Sequence, residues 1–233
     1  MTHSPSLRVA GSLWSVPSDD HRSVTQHLRS AGLEILHWDM TDGHFAPRGG
    51  FTAEYARAVS ASTGMRAEAH LMVEHPLDHV DQWTDFCDLV AVHAEAKDWW
   101  RAVERIEARG ARAAVAVRLD TRLDRVLGLD IPVLAMSIAP GHASTPFNRE
   151  ALGTVRAARS ASDARLVGLD GGLTAGIADE VTSAGANWLV SGTDLFSDGG
   201  ADRWRSLLSS SRAHDRPVAK EAVDQAVSGS AVG

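Results

Sequence analysis

The chain predicts a (β/α)8 barrel, on three observations. Short β-type runs alternate with helical stretches from one end to the other, eight of each. The units recur every ~25–30 residues, close to the length of one strand plus its crossover helix. The 233 residues fit one large domain, within the range of single barrels. Such alternation argues for parallel strands, because each helix carries the chain back to begin the next strand beside the last. A doubly wound open sheet is the alternative.

Taken in order, RVAGSL is the first strand, followed by a helical stretch over 20–31. LEILHWD leads to a helix over 52–62, MRAEAHL to one over 77–84, and CDLVAVH to one over 98–109. ARAAVAVRL precedes a short helix over 121–127. IPVLAMSI is followed by 148–160, ARLVGLD by 175–184, and NWLVSG by a final helix over 201–210. One barrel domain is therefore expected over 1–210. Residues 211–233 are rich in Ala, Ser, Val and Gly and lack an amphipathic period, so a flexible tail is expected there. A segment lying against a neighbouring subunit is the alternative for it.

Hydrophobic residues make up 44% of the chain, enough for a sizeable core, and the net charge is −7 with both signs interspersed. No basic stretch accumulates, which argues against nucleic acid and against an anionic membrane as partners. The longest apolar run, 131–139, is far too short to span a bilayer. No charged segment followed by a long apolar one opens the chain. The single cysteine, Cys87, has no partner for an internal disulfide. Together these features predict a cytoplasmic protein.

His37, Asp39, His70 and Asp170 are the residues best suited to chemistry. They lie in LHWDMTDGHF, EAHLMVEHP and VGLDGGL, each of which reads as a strand running into a loop. Imidazole and carboxylate together suit a divalent metal, and two carboxylates in one site can move protons to and from carbon. His37 and Asp39 are two apart on a strand, so they share one face and Trp38 takes the other, packing outward against helices. Asp42-Gly43 forms a tight turn directly after. A hydrogen-bonded core histidine and a loop-capping aspartate are the structural alternatives. His70 ends the third strand, with Glu68 on the same face one layer deeper, where a carboxylate can orient a ligand. Asp170 ends the seventh strand and is followed by Gly171-Gly172. The loops after strands seven and eight of such barrels often hold phosphate through backbone N–H groups. Gly171, Gly172, Gly192 and Thr193 supply those loops, and a phosphate site is expected there; plain glycine turns are the alternative.

In order and at the right intervals, HWDMTDGHFAP, AHLMVEHP, VHAEA, MSIAPG, LDGGL and LVSGTDLF resemble the ribulose-phosphate 3-epimerase family, over residues 7–208. The resemblance implies a TIM barrel of the ribulose-phosphate-binding type. It also implies an isomerase that inverts C3 of a ketose phosphate, D-ribulose 5-phosphate/D-xylulose 5-phosphate or a related sugar phosphate. It implies one divalent metal ion (zinc, iron, manganese or cobalt) on His37, Asp39, His70 and Asp170, with Asp39 and Asp170 as the two acid/bases. Ser12, His70, Met72 and Met136 would meet the substrate. Barrels of this family usually assemble, so a homo-oligomer is expected.

The chain departs from the family pattern at several places. Thr41 replaces a methionine and would make one wall of the site polar. After strand six the chain reads Ala139-Pro140-Gly141-His142-Ala143-Ser144-Thr145 where the family has paired glycines, and Cβ atoms at Ala143 and Ser144 restrict that loop. Arg118-Leu119 replaces Asn-Pro; Arg118 either points at the barrel mouth to meet an anion or bridges to Asp120 or Asp124 on the surface. Arg48 replaces an asparagine, and Gly168 stands where an acidic residue is usual. Gly141, His142, Ser144, Thr145, Thr193 and Asp194 are candidate contacts to hydroxyls or phosphate. The metal and acid/base set is thus intact while the substrate envelope is altered. A specialised-pathway relative acting on a different or longer sugar phosphate is one alternative. A phosphate-binding aldolase or decarboxylase is another, disfavoured because neither lysine, Lys97 or Lys220, sits at an inward strand position for a Schiff base. A non-catalytic sugar-phosphate-binding barrel would be expected to have lost one of the four residues, and all remain. Trp83, Trp99, Trp100 and Trp204 either pack in the core or anchor a subunit contact.

Overall fold

The computed structural model describes residues 7–214, and within them the eight expected strands close into a barrel. The strands are β1 (Arg8–Ser12), β2 (Ile35–Thr41), β3 (Arg66–Met72), β4 (Leu89–His93), β5 (Arg112–Val117), β6 (Val133–Met136), β7 (Val167–Asp170) and β8 (Trp188–Ser191). All pair in parallel with their sequence neighbours, and β8 closes on β1. The helices are α1 (His21–Ser30), α2 (Ala53–Thr63), α3 (Val80–Thr84), α4 (Trp99–Ala108), α5 (Asp124–Leu127), α6 (Ala151–Ala161), α7 (Ala178–Ser183) and α8 (Gly200–His214).

Two stretches expected as single helices begin instead as 3-10 turns, Pro76–Asp78 before α3 and Ala175–Ile177 before α7. Pro76 opens the first, where its missing N–H costs nothing. α8 continues to His214, past residue 210 where the tail was expected to begin. The rest of that tail, and Lys220 with it, lies outside the described residues.

Period-two alternation divides the strand residues into two apolar sets. Trp38, Ala69, Leu71, Val90, Val92, Val115, Leu169 and Leu189 face outward into the layer beneath the helices. Leu89, Ala91, Ala114, Ala116, Leu134, Trp188 and Val190 fill the barrel interior. Trp38 is fully buried, as its outward position requires, and its indole N–H donates to Ser60 Oγ on α2 at 3.0 Å. Trp83, Trp99 and Trp204 are buried in the same outer layer, while Trp100 is half exposed. Among the described residues no helix is long and apolar enough to cross a membrane.

Candidate active site at the barrel mouth

The barrel register aligns the polar residues of the three segments. Ser12 pairs with His37, Asp39 with His70, and Met136 with Asp170. Inward-facing side chains on neighbouring parallel strands therefore meet at one level. His37 Nε2 lies 3.4 Å from Asp39 Oδ1 and 3.8 Å from Asp170 Oδ2. His70 Nδ1 lies 3.3 Å and 3.4 Å from the same two oxygens. Ser12 Oγ–H donates to the other Asp39 oxygen at 2.7 Å.

The cluster fits a cation on the chemistry of its donors. One atom from each of the four residues lies within 4.8 Å of the others. His37 Nε2 and His70 Nδ1 are buried and have no hydrogen-bond partner among the described residues. Two unsatisfied imidazole nitrogens beside two carboxylates are what a divalent site requires. Without an ion the pair of imidazoles takes protons instead. Burial opposes charge on His37, but the Asp39 carboxylate, and then Glu68, outweigh it and raise its pKa well above the ordinary 6.5. His70 is raised in the same sense by Asp170 and Asp39 against the cost of burial. Burial works to raise Asp39, and the imidazoles, His37 first, nonetheless hold its carboxyl well below the usual range.

A second layer of side chains orients the two histidines. Glu68 Oε1 accepts His37 Nδ1–H at 2.7 Å and Trp188 Nε1–H at 2.9 Å, and Oε2 accepts Arg8 Nε–H at 2.9 Å. This is the role expected of Glu68 from its position. Gly168 explains how Trp188 reaches it: a Cβ there would lie 2.4 Å from the Trp188 ring. The acidic residue usual at that position would exclude the indole. On the other side, His70 Nε2 is 2.9 Å from His93 Nε2, and His93 Nδ1 is 3.0 Å from Glu95 Oε2. Burial lowers the His93 pKa to about 4. Burial opposes the Glu95 carboxylate, but His93 and the Arg118 and Thr121 donors lower it to about 2. His93, Glu95, Arg8 and Trp188 were not singled out from the sequence. The available signal was the alternation in LVAVHAE, which puts Leu89, Ala91 and His93 on one inward face.

Above the cluster opens a cavity of about 440 Å3. Ser12, Asp39, Met72, Met136, Gly141, His142, Ser144, Asp170, Gly171, Gly172, Gly192 and Thr193 all line it, while His37 and His70 lie fully buried. Gly172 has φ 60°, and a Cβ on it would lie 2.5 Å from Phe147 N. Glycine there lets the loop after β7 press against the loop after β6. Ser144 adopts φ 61° despite its Cβ, at a cost of roughly 1 kcal/mol. Its Oγ lies 3.4 Å from Thr193 Oγ1, which is 3.2 Å from Ser15 Oγ, so three hydroxyls border the cavity.

Of the other expected contacts, Thr145 and Asp194 also line the cavity, with their side chains hydrogen-bonded within the protein, and the rest lie outside its lining. Thr41 makes no polar wall, because its hydroxyl donates to Pro47 O at 2.7 Å and Gly49 O at 3.1 Å within the loop after β2. Arg118 takes the surface alternative, 3.8 Å from Asp120 and over the Phe45 ring at 5.6 Å. Arg48 reaches back to Asp42 O at 3.2 Å. Thr145 donates to His142 O at 2.9 Å. Asp194 Oδ2 accepts Ala175 N–H at 2.9 Å and Trp204 Nε1–H at 2.8 Å, tying the β7 loop to α8. Lys97 is an exposed partner of Glu74 at 2.7 Å.

Fold and site define a TIM-barrel enzyme with a metal-competent His/Asp cluster at the C-terminal ends of its strands. The ribulose-phosphate 3 epimerase family model matches residues 8–196, and the chain belongs to that family. It is an isomerase of the epimerase kind, supported by named relatives across several species. A ribulose-phosphate 3-epimerase of Mycobacterium tuberculosis is 33% identical over 185 residues, 73% of this chain and 77% of that one. A cytoplasmic isoform of the enzyme from Oryza sativa is 29% identical over 205 residues, 84% and 90% of the two chains. Among solved structures, 3-hexulose-6-phosphate synthase of Salmonella typhimurium superimposes with a TM-score of 0.67 at 12% identity, covering 88% of this chain and all of that one. That likeness shows the fold.

Proposed function

We propose that the protein is a metal-dependent 3-epimerase of a ketose phosphate, D-ribulose 5-phosphate/D-xylulose 5-phosphate or a related sugar phosphate, working by two-base proton transfer. The observation that carries this reading is the convergence of Asp39 and Asp170 on two partnerless imidazole nitrogens beneath a sugar-sized cavity. His37, Asp39, His70 and Asp170 would hold one divalent ion: zinc, iron, manganese or cobalt. When bound, such an ion supplies electrostatic stabilisation of the negative charge that develops on the substrate's oxygens.

The residues of the chain move the proton. The C–H beside a ketone is a weak acid, so its base must sit against it. One aspartate, ionised, takes the C3 proton, and the electron pair moves onto the ketone oxygen to give an enediolate. The other, carrying a proton, delivers it to the opposite face and is left ionised. Asp39 and Asp170 sit on β2 and β7, on either side of β1 and β8, which supports their action from two sides. Ser12 steadies Asp39 through its 2.7 Å hydrogen bond. Met72 and Met136 shape an apolar wall, and Gly141, His142, Ser144, Gly171, Gly172, Gly192 and Thr193 take the phosphate end. The protein is read as cytoplasmic and as a homo-oligomer; the cytoplasmic rice relative supports the former.

Ser144 favours a second reading of the substrate. A serine held at positive φ, with Ala143 beside it, narrows the loop after β6 and adds a hydroxyl there. That supports a preference for a different or longer sugar phosphate. The test is C3 proton exchange with heavy water, followed by NMR on the metal-loaded protein across ketose phosphates of different length. Exchange on at least one of them is expected. Its absence on all would overturn the epimerase reading, and ordinary turnover of D-ribulose 5-phosphate would remove the altered-substrate reading alone.

A further inference from the structure

The His93–Glu95 pair sits beside the metal-competent cluster, and no step in the proton transfer uses it. Its hydrogen bonds have a direction that can be worked out atom by atom. Glu95 Oε1 accepts the Arg118 backbone N–H at 3.0 Å and also accepts the Thr121 hydroxyl. Glu95 Oε2 faces His93 Nδ1 at 3.0 Å. An ionised carboxylate only accepts, so His93 Nδ1 carries the proton of this bond. The neutral imidazole then has a bare Nε2. That nitrogen is 2.9 Å from His70 Nε2, so His70 Nε2 carries the proton of the next bond. When His70 is neutral, as a metal ligand must be, its Nδ1 is left as a lone pair, and it is the atom that faces Asp39 and Asp170 at 3.3 Å and 3.4 Å.

The His93 ring is held in place by the loop after β2. Phe45 lies against the His93 ring, centroids 4.7 Å apart. Asp42 holds that loop by accepting His44 N–H at 2.8 Å, Phe45 N–H at 2.9 Å and Glu74 N–H at 2.7 Å. His93 and His70 are both fully buried.

We propose that Glu95, acting through His93, is a positioning residue that sets the tautomer of His70 and so directs the His70 Nδ1 lone pair at the metal. This deepens the proposed function and rests on His70 being a ligand. Replacing Glu95 by glutamine tests it with almost no change of shape. The Arg118 N–H can only donate, so it places the amide oxygen at the Oε1 position, where the Thr121 hydroxyl can still donate to it. The amide nitrogen then faces His93 Nδ1 as a donor. Both protons of the relay reverse, and His70 is left with a proton on Nδ1.

The experiment measures zinc affinity of metal-depleted protein by competition with a chelator, for wild type, Glu95→Gln, Thr121→Val and His70→Ala. Glu95→Gln is expected to bind zinc about 10–100-fold more weakly, the usual cost of losing a ligand's orienting partner. Thr121→Val disturbs the same loop but keeps the carboxylate, and is expected to bind as wild type does. Nitrogen-15 NMR of the histidines in zinc-loaded wild type provides the independent readout, with protons expected on His93 Nδ1 and His70 Nε2. Unchanged affinity in Glu95→Gln, or a His93 proton found on Nε2, overturns the relay. Should Glu95→Gln not fold, the wild-type spectrum decides alone. Zinc binding that survives His70→Ala at full strength refutes the ligand reading itself, which separates the two failures.

Discussion

Asp170 is the residue whose replacement separates fold from chemistry most cleanly. It lies at the end of β7, partly open to the cavity. Asp170→Asn keeps the shape, so the melting curve is expected to stay close to that of the wild type while solvent exchange at the substrate's C3 disappears; exchange that persists would remove Asp170 from its role. Glu68 is different, because all its partners are donors. Glu68→Gln turns an NH2 group toward Arg8, breaking a buried ion pair. A loss of about 3 kcal/mol is expected in urea unfolding, the low end for such a break because Arg8 keeps some contact with water. The histidines give a pH dependence with a definite sign. Their raised pKa values mean that in metal-free protein their stabilising contribution is complete below the ordinary 6.5 and is lost as pH climbs through the folded values. Metal-free protein is expected to have a lower urea midpoint at pH 9 than at pH 7, whereas metal loading, which requires bare nitrogens, abolishes that loss.

At the scale of elements, β7 and β8 are fitted to each other through one missing side chain. Gly168 leaves room for Trp188, which in turn reaches Glu68 beneath His37. Gly168→Ala is expected to cost about 1–3 kcal/mol by overpacking and to weaken metal binding, since the displaced indole no longer holds Glu68. A variant with wild-type urea midpoint and zinc affinity would show that the fit is looser than the distances imply. The strand positions were legible in advance: alternation placed His37, Asp39, Glu68 and His70 inward and Trp38 outward, and each is found so. Thr41 was not, because its inward position says nothing of the two carbonyls in the following loop that take its hydroxyl. Arg118 and Asp194 were obscure for the same reason. Long polar side chains are placed by partners from distant loops, and sequence spacing does not reveal which partner is nearest.

For the whole molecule, the barrel is a frame whose mouth gathers four side chains that could hold a metal ion. An ion that binds the folded chain and not the unfolded one stabilises it by mass action, about 2.7 kcal/mol when its free concentration is a hundredfold above the dissociation constant. Thermal melting is expected to rise on addition of one divalent ion per chain and to fall again with a chelator; a melting temperature indifferent to both would count against a metal site.

The sequence by itself determined the eight-unit alternation, the inward set His37, Asp39, His70 and Asp170, and the family. These rest on local periodicity and on residue types at fixed intervals, which are properties of the chain as a string. Only the tertiary structure decided that the two histidines are locked from behind, His37 by Glu68 with Arg8 and Trp188, and His70 by His93 with Glu95. Only the closed barrel could show this, because a hydrogen bond's direction depends on the next partner along, and those partners come from strands 1, 3, 4 and 8 and the loop after strand 4.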